Sequence, residues 1–289
     1  MTPDQYCQER AASSGSSFYY SFLFLPPLQR RAITAVYAFC REVDDVVDEC
    51  SDSDIARTKL VWWRQEIQAL FQGKTQHPVT QALQPLLDDF DLAEEYFLEI
   101  IDGMEMDLEF SGYESFADLQ LYCYRVASIV GIMAAEIFGY KNRTTLKYAK
   151  DLGMAFQLTN ILRDVREDST RGRIYIPHDE LKQFGVKQTD LTQSISTEAT
   201  HALFKHQAER ARSYYQRAFS HLAEEDRYTQ RSGIIMSRVY QTLLTEIEND
   251  NFNVLKQRIK LTPLRKLWIA WRTASSEKKR HKRFLKTTH

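Results

Sequence analysis

Hydrophobic residues return at helical spacing from one end of this chain to the other, and little interrupts them. Over 289 residues there are 10 Gly and 7 Pro, and the two-residue alternation of a half-buried strand is scarce. An all-α fold in a single domain follows, since no Gly/Ser-rich linker divides the periodic segments. One predicted helix starts at Pro27 or Leu28 and carries Ile33, Val36, Tyr37, Cys40 and Asp44 or Val47 on its inner side. A break at Ser51 to Asp54 precedes a helix capped by Ser53 or Asp54, which runs through Leu60, Trp63, Ile67 and Leu70 to Gly73. Further helices are predicted over Gln81–Leu87, Glu94–Glu109, Ser115–Phe138, Thr144–Val165, Thr197–Ala223 and Ser232–Glu248. Asp168 to Gly185, with Gly172 and Pro177, reads as a loop with short turns.

Composition narrows the function classes. Hydrophobic residues at 43% can build a sizeable core, and a net charge of −1 argues against a nucleic-acid footprint. Cys7, Cys40, Cys50 and Cys123 form neither a C-x-x-C pair nor a zinc spacing, and nothing at the N-terminus resembles a secretory signal. The expectation is a reduced, cytoplasmic protein. The most apolar N-terminal stretch, Phe18 to Leu28, falls far short of the ~20 residues that span a bilayer, so no transmembrane anchor is expected. Leu264, Leu267, Trp268 and Trp271 lie at i, i+3, i+4 and i+7, and a run of Lys and Arg follows from Lys278 to Lys286. That composition suits a helix resting on an anionic membrane, which would place the protein peripherally on the inner membrane. The competing reading is a last helix packed on the core with a disordered tail. The expected division is a folded domain over 1–274 and a basic tail over 275–289.

Two pairs of aspartates interrupt the apolar pattern. Asp44 with Asp48, and Asp164 with Asp168, each lie at i,i+4, which sets both carboxylates of a pair on one helix face. Either pair alone could be a solvated face. The first, however, extends the stripe of Tyr37 and Cys40, and the second that of Gln157 and Asn160, between apolar flanks. Clustered carboxylates raise one another's pKa and need cations. All-oxygen donors without His or Cys favour a hard ion, most plausibly magnesium, which usually binds through one or two carboxylates and substrate phosphates. A diphosphate substrate follows more naturally than a structural ion. Arg41 has two readings, a grip on a diphosphate oxygen or an ion pair with Asp45. Asp45 itself points about 100° away from Asp44 and is the poorer ligand. Arg163, Arg171, Arg173 and Tyr175 follow the second pair closely, and guanidinium forks suit phosphate oxygens. A di-iron carboxylate bundle would need two Glu-x-x-His motifs, and only Glu198 to His201 matches. Met104 and Met106 read as a helix surface-to-core boundary rather than as part of a cofactor box, and Glu105 and Asp107 could add charge near the site but are not assigned to it.

These residues carry a resemblance to a known family. Ser17-Phe18 leading to Leu25-Pro26, then Val36-Tyr37-Ala38-Phe39-Cys40-Arg41-Glu42-Val43-Asp44-Asp45-Val46-Val47-Asp48, resembles the squalene/phytoene synthases, head-to-head prenyl transferases. So do Tyr122-Cys123-Tyr124-Arg125-Val126-Ala127-Ser128, Gln157-Leu158-Thr159-Asn160-Ile161-Leu162-Arg163-Asp164 through Asp168, and Arg173-Ile174-Tyr175-Ile176-Pro177. Within the family the wording is most similar to bacterial presqualene diphosphate synthases of the hopanoid pathway. One departure is Ser128, where many members carry Gly.

The resemblance implies an isoprenoid-synthase-type helical bundle with a central cavity and two aspartate motifs facing each other across its mouth. It implies two or three magnesium ions held by Asp44, Asp48, Asp164 and Asp168 with Asn160, and Gln157 beside them. Ser17, Arg41, Arg163 and Tyr175 would place diphosphate oxygens, while Phe18, Phe22, Tyr37 and Tyr122 would line the reacting centre. The implied reaction joins two farnesyl diphosphates into presqualene diphosphate without NADPH. Squalene or dehydrosqualene synthesis, or phytoene synthesis from geranylgeranyl diphosphate, are the neighbouring alternatives. A non-catalytic helical adaptor on membranes is the alternative of another class.

Overall fold

The computed structural model describes residues 1–13, 21–50 and 52–287, and among these it contains helices, turns and no strand. Ser17 and Phe18, both expected in the site, lie outside the described residues. The N-terminal half comprises α1 (Pro3–Ser13), α2 (Pro27–Glu49), α3 (Ser53–Phe71), α4 (Pro78–Leu83) and α5 (Glu94–Leu108). Then come α6 (Phe116–Cys123), a π-helical turn over Tyr124–Ser128, and α7 (Ile129–Phe138). The C-terminal half contains α8 (Thr144–Thr170), the short α9 (His178–Gln183) and α10 (Gln188–Thr192), then α11 (Glu198–His221), α12 (Arg231–Asn249) and α13 (Pro263–Thr287).

α2 starts where Pro27 can occupy the first turn without wasting an amide. Its apolar residues then recur at helical spacing, and Val36, Phe39 and Val43 are fully buried. Phe39 meets Trp63 of α3 and Phe97 of α5 edge-on, with ring centroids 5.6 and 5.2 Å away. Truncating such a ring to alanine costs about 3–5 kcal/mol, so this contact fixes α2 against its neighbours. α8 is buried along much of its length and packs along α11 on one side and the α6–α7 segment on the other.

Two buried clusters result. One gathers α2, α3, α5 and part of α7, the other α6, α8, α11 and α12. Tyr124 and Val126 of the π turn pack against both. The halves leave an open space where they meet, and α2 and α8 supply the helix faces that look into it.

The α7–α8 crossing is close because it is made by small residues. A Cβ at Gly153 would lie 2.3 Å from the Ala127 carbonyl oxygen, and one at Gly131 2.4 Å from that of Ala149. Ser128 fits in the same crossing because its hydroxyl donates to the Lys150 carbonyl at 2.8 Å.

Several boundaries differ from the sequence expectation. Asp52, not Ser53 or Asp54, caps α3, accepting from the amides of Asp54 and Ile55. α8 runs five residues beyond Val165, so Asp168 is helical and not the start of a loop. Gly172, at φ 79°, ends the helical run. The 115–138 helix runs continuously from Phe116 to Phe138 but passes through a π turn at Tyr124–Ser128. By length and composition alone, Phe116–Phe138 is also apolar enough to cross a membrane, which the expectation of no anchor leaves out. Its Leu119, Ile129, Met133 and Ile137 are buried in the core. At the C-terminus α13 passes through residue 274 without a break and continues to Thr287. Glu277 is buried there in an ion pair with Arg227 at 2.8 Å, so the segment after 274 is ordered helix through Thr287.

Candidate functional site

Two connected chambers lie between α2 and α8. The inner one, about 180 Å³, is bounded by Phe22, Ile33, Val130, Ala134, Phe138, Leu152, Phe156 and Met236. The outer one, about 640 Å³, falls within the range of roughly 300–1,000 Å³ typical of ligand pockets. Its wall carries Arg41, Asp44, Arg163, Arg258, Lys260 and Lys266 as well as Met104 and Leu243. Tyr37, Cys40, Val126, Gln157 and Asn160 line both chambers and so form the neck. A charged vestibule thus opens into an apolar pocket.

The helices explain the arrangement. Cys40 and Arg41 follow Tyr37 by three and four residues along α2, Asp44 follows them by four and three, and Asn160 follows Gln157 by three on α8. Phe22 meets the Tyr37 ring edge-on at 6.3 Å. Arg231 at the start of α12 donates twice to the Phe24 carbonyl, at 2.7 and 3.1 Å, and holds the Phe22 segment over the inner chamber.

The acidic residues at the mouth are held by guanidinium groups. Arg41 reaches Asp44 and Asp45, both at 2.5 Å, so it makes the intrahelical pair and faces the vestibule at once. Arg173 donates to Asp48 at 2.7 Å and to the Val47 carbonyl at 3.3 Å, and Arg171 lies 3.5 Å from Asp48. Because Arg171 and Arg173 directly follow α8, this clasp ties the end of the second acidic stripe to the first. Asp164 pairs with Arg163 and, at 2.8 Å, with Arg258. It therefore borders the vestibule through its arginine partners, which are wall residues.

Burial raises the Asp44 carboxyl to about 6, opposed by Arg41 and helped by Asp48, Asp45 and Asp107. Burial, then Asp164 and Asp107, raises Asp168 to about 7 against the pull of Arg171 and Arg173. Such elevation marks buried carboxyls whose desolvation the nearby guanidinium groups only partly offset. Cys40 is also pushed up, to about 12, by burial, which leaves a neutral thiol in the neck.

The sequence alone does not single out Arg258, Lys260 and Lys266 of the vestibule wall, and it leaves Asp107 unassigned. Asp107, read only as a possible added charge, is buried on α5, and burial raises its carboxyl to about 6. Tyr122 donates to one of its oxygens at 2.8 Å and Tyr175 to the other at 2.9 Å. The two rings stack with centroids 5.3 Å apart. Burial and the neighbouring Asp107 hold both phenols in their protonated, donating form. Tyr122 keeps its place in the vestibule wall, whereas the Tyr175 hydroxyl is turned to Asp107. The available signal was the α5 face of Ile100, Met104 and Asp107, an acid continuing a buried stripe.

Among the described residues, no three His, Cys, Asp or Glu side chains converge closely enough to hold a metal ion by themselves. The donor set nonetheless fits a hard divalent cation that takes part of its shell from a substrate. The donors are all oxygen, as such ions prefer. Among the described residues Asn160 Oδ1 is buried at the neck with no hydrogen-bond partner, while its Nδ2 donates to Gln157 at 3.3 Å.

Comparison with known proteins agrees with this architecture. The model of the squalene/phytoene synthase family matches residues 11–265. The chain is 38% identical to the presqualene diphosphate synthase of Sinorhizobium fredii, over 93% of this chain and 96% of that one. It is 35% identical to the chloroplastic phytoene synthase of an Oncidium hybrid, over 91% of this chain but only 64% of that longer protein. A crystal structure of a dehydrosqualene synthase with a bound ligand superposes with a TM-score of 0.83 at 30% identity, covering 96% of this chain and 97% of the other. Paired acidic stripes, a polar neck and an apolar pocket between two helical halves are thus found in a chain that belongs to the squalene/phytoene synthase family.

Proposed function

We propose that the protein condenses two farnesyl diphosphates head to head into presqualene diphosphate, releasing one diphosphate. The observation that carries this reading is the continuity of a charged vestibule with an apolar pocket through the shared neck of Tyr37, Val126, Gln157 and Asn160. A substrate with an anionic head and a hydrocarbon tail matches both parts. The 38% identity to a presqualene diphosphate synthase over nearly the whole of both chains supports it further.

In this reading Asp44, Asp48, Asp164 and Asp168, with Asn160, would hold two or three magnesium ions. When bound, these ions neutralise the leaving diphosphate. Arg41 and Arg163 bind diphosphate oxygens as charge-assisted donors, joined by Arg258, Lys260 and Lys266 of the same wall. The allylic C–O bond of one farnesyl diphosphate breaks, and the electron pair of the double bond in the second forms the new C–C bond. Loss of one proton closes the cyclopropane. Phe22, Phe156 and the neck exclude the water that would quench the cation, and each well-placed ring contributes roughly 0.5–2 kcal/mol of cation–π attraction. That is enough to guide the cation and too little to drive ionisation. Asp107, through Tyr122 and Tyr175, fixes the wall beside the acids.

Phytoene synthesis from geranylgeranyl diphosphate is the second reading, favoured by the 35% identity to a phytoene synthase. Chromatography of the products formed with magnesium and each diphosphate, without NADPH, separates the two. Presqualene diphosphate from the farnesyl substrate is the expected result. Phytoene from the geranylgeranyl substrate with no farnesyl product would move the assignment, and no diphosphate release from either would end it.

A further inference from the structure

We propose that the outward face of α13 docks on an anionic lipid bilayer and thereby sets the vestibule against the membrane. The second half of this inference rests on the proposed function, because it takes the substrate to be an anionic head on a hydrocarbon tail. The first half rests on α13 alone.

The face is built in two halves. Leu264, Leu267, Trp268 and Trp271 occupy one side of the first turns, and they are 79, 41, 54 and 62% exposed. Lys278 and Lys282 fall 14 and 18 residues after Leu264, which at helical spacing returns them to the same side. Both are exposed and make no ion pair among the described residues. The rotation of the helix is set from beneath. Ile269 and Ala270 are buried, Glu277 pairs with Arg227, and Arg280 pairs with Glu224 at 2.5 Å. The apolar and basic halves therefore look away from the core together.

That pattern selects its occupant. A second copy of the same face would set lysine on lysine if the helices ran parallel, and apolar rings on lysine if they ran antiparallel. An anionic bilayer satisfies both halves, with Trp and Leu entering the interface and the lysines lying over headgroups. The Arg272 guanidinium, 5.1 Å over the Trp268 ring, adds charge beside the aromatic patch.

Position links docking to the site. Lys260, Leu261, Pro263 and Lys266, in and just before the first turn of α13, line the vestibule. The apolar patch begins at Leu264 in the same turn. A bilayer on this face would thus rest on the outer side of the helix turn whose inner side walls the vestibule.

The test uses the full chain with vesicles of phosphatidylcholine alone and of phosphatidylcholine mixed with phosphatidylglycerol. Flotation with the mixed vesicles only, weakening as salt is added, is the expected result. Trp268→Glu/Trp271→Glu should abolish it, and Lys278→Gln/Lys282→Gln should weaken it about 30-fold. Both variants should turn over substrate in detergent at the wild-type rate and lose turnover of vesicle-borne substrate. Wild-type protein that stays unbound, or sediments as a dimer that the Trp variant splits, overturns the docking. Equal turnover of vesicle-borne substrate by wild type and variants overturns the link to the vestibule. Flotation without turnover in detergent would instead overturn the proposed function and leave the docking standing.

Discussion

Asp107 is a buried carboxyl with each oxygen taken by a phenol, and Asp44, Asp48 and Asp168 lie within its electrostatic reach. Asp107→Asn keeps the shape but turns one acceptor into a donor, which then faces a tyrosine hydroxyl. Turnover is expected to fall about 10–100-fold, with a higher magnesium requirement, as for other residues that orient a metal site. Rates and magnesium curves indistinguishable from wild type would remove Asp107 from the site. Asp44→Ala and Asp164→Ala should abolish turnover and leave the helical circular dichroism intact. Folding survives because Arg41 retains Asp45, and Arg258 retains Glu167 at 2.9 Å. Near-normal turnover in either would refute its assignment as a ligand. The stripes were readable from the sequence because their partners lie one helical turn apart. The pairing of Asp107 with its two tyrosines was not, since they lie 15 and 68 residues away.

The α7–α8 crossing decides how wide the neck is at the scale of elements. Gly153→Ala would drive a methyl into the backbone of Ala127, one residue from Val126 in the neck. Overpacking of this kind costs typically about 1–3 kcal/mol, to be read from the denaturation midpoint, and turnover should fall with it. Gly139→Ala probes backbone strain instead, as its φ is 80° and nothing lies within 4 Å. It should destabilise while leaving turnover per folded molecule unchanged. Equal turnover per folded molecule in both variants would show that the crossing does not shape the neck. Helix positions followed from hydrophobic periodicity, and so did the polar stripe of α8. The π turn did not, because the segment is apolar on most sides, so the shift of about 100° that one extra residue brings leaves no visible break in its pattern. The true end of α8 was hidden for another reason: Arg166 and Glu167 face solvent, while Asp168 and Ser169 continue inward.

For the whole molecule, the raised carboxyls predict an inverse response to pH. Without cations, Asp44 and Asp107 near 6 and Asp168 near 7 keep protons that an unfolded chain releases near pH 4. The native state then binds more protons than the unfolded state, so these groups lower stability as pH rises from about 4 to about 7. Asp168→Asn should flatten that slope in thermal melts. Magnesium should raise the melting temperature more at about pH 8 than at about pH 5, because protons compete for the same oxygens. An equal magnesium shift at both would contradict the cation assignment. The clasp of Arg173 on Asp48 has a consequence for the resting enzyme. Until substrate arrives, the protein supplies its own counterions, so cations alone must displace a tethered guanidinium before they can settle. In the proposed reaction a diphosphate would relieve that competition by drawing the arginine onto itself, and metal and substrate are therefore expected to load as a pair and leave as a pair.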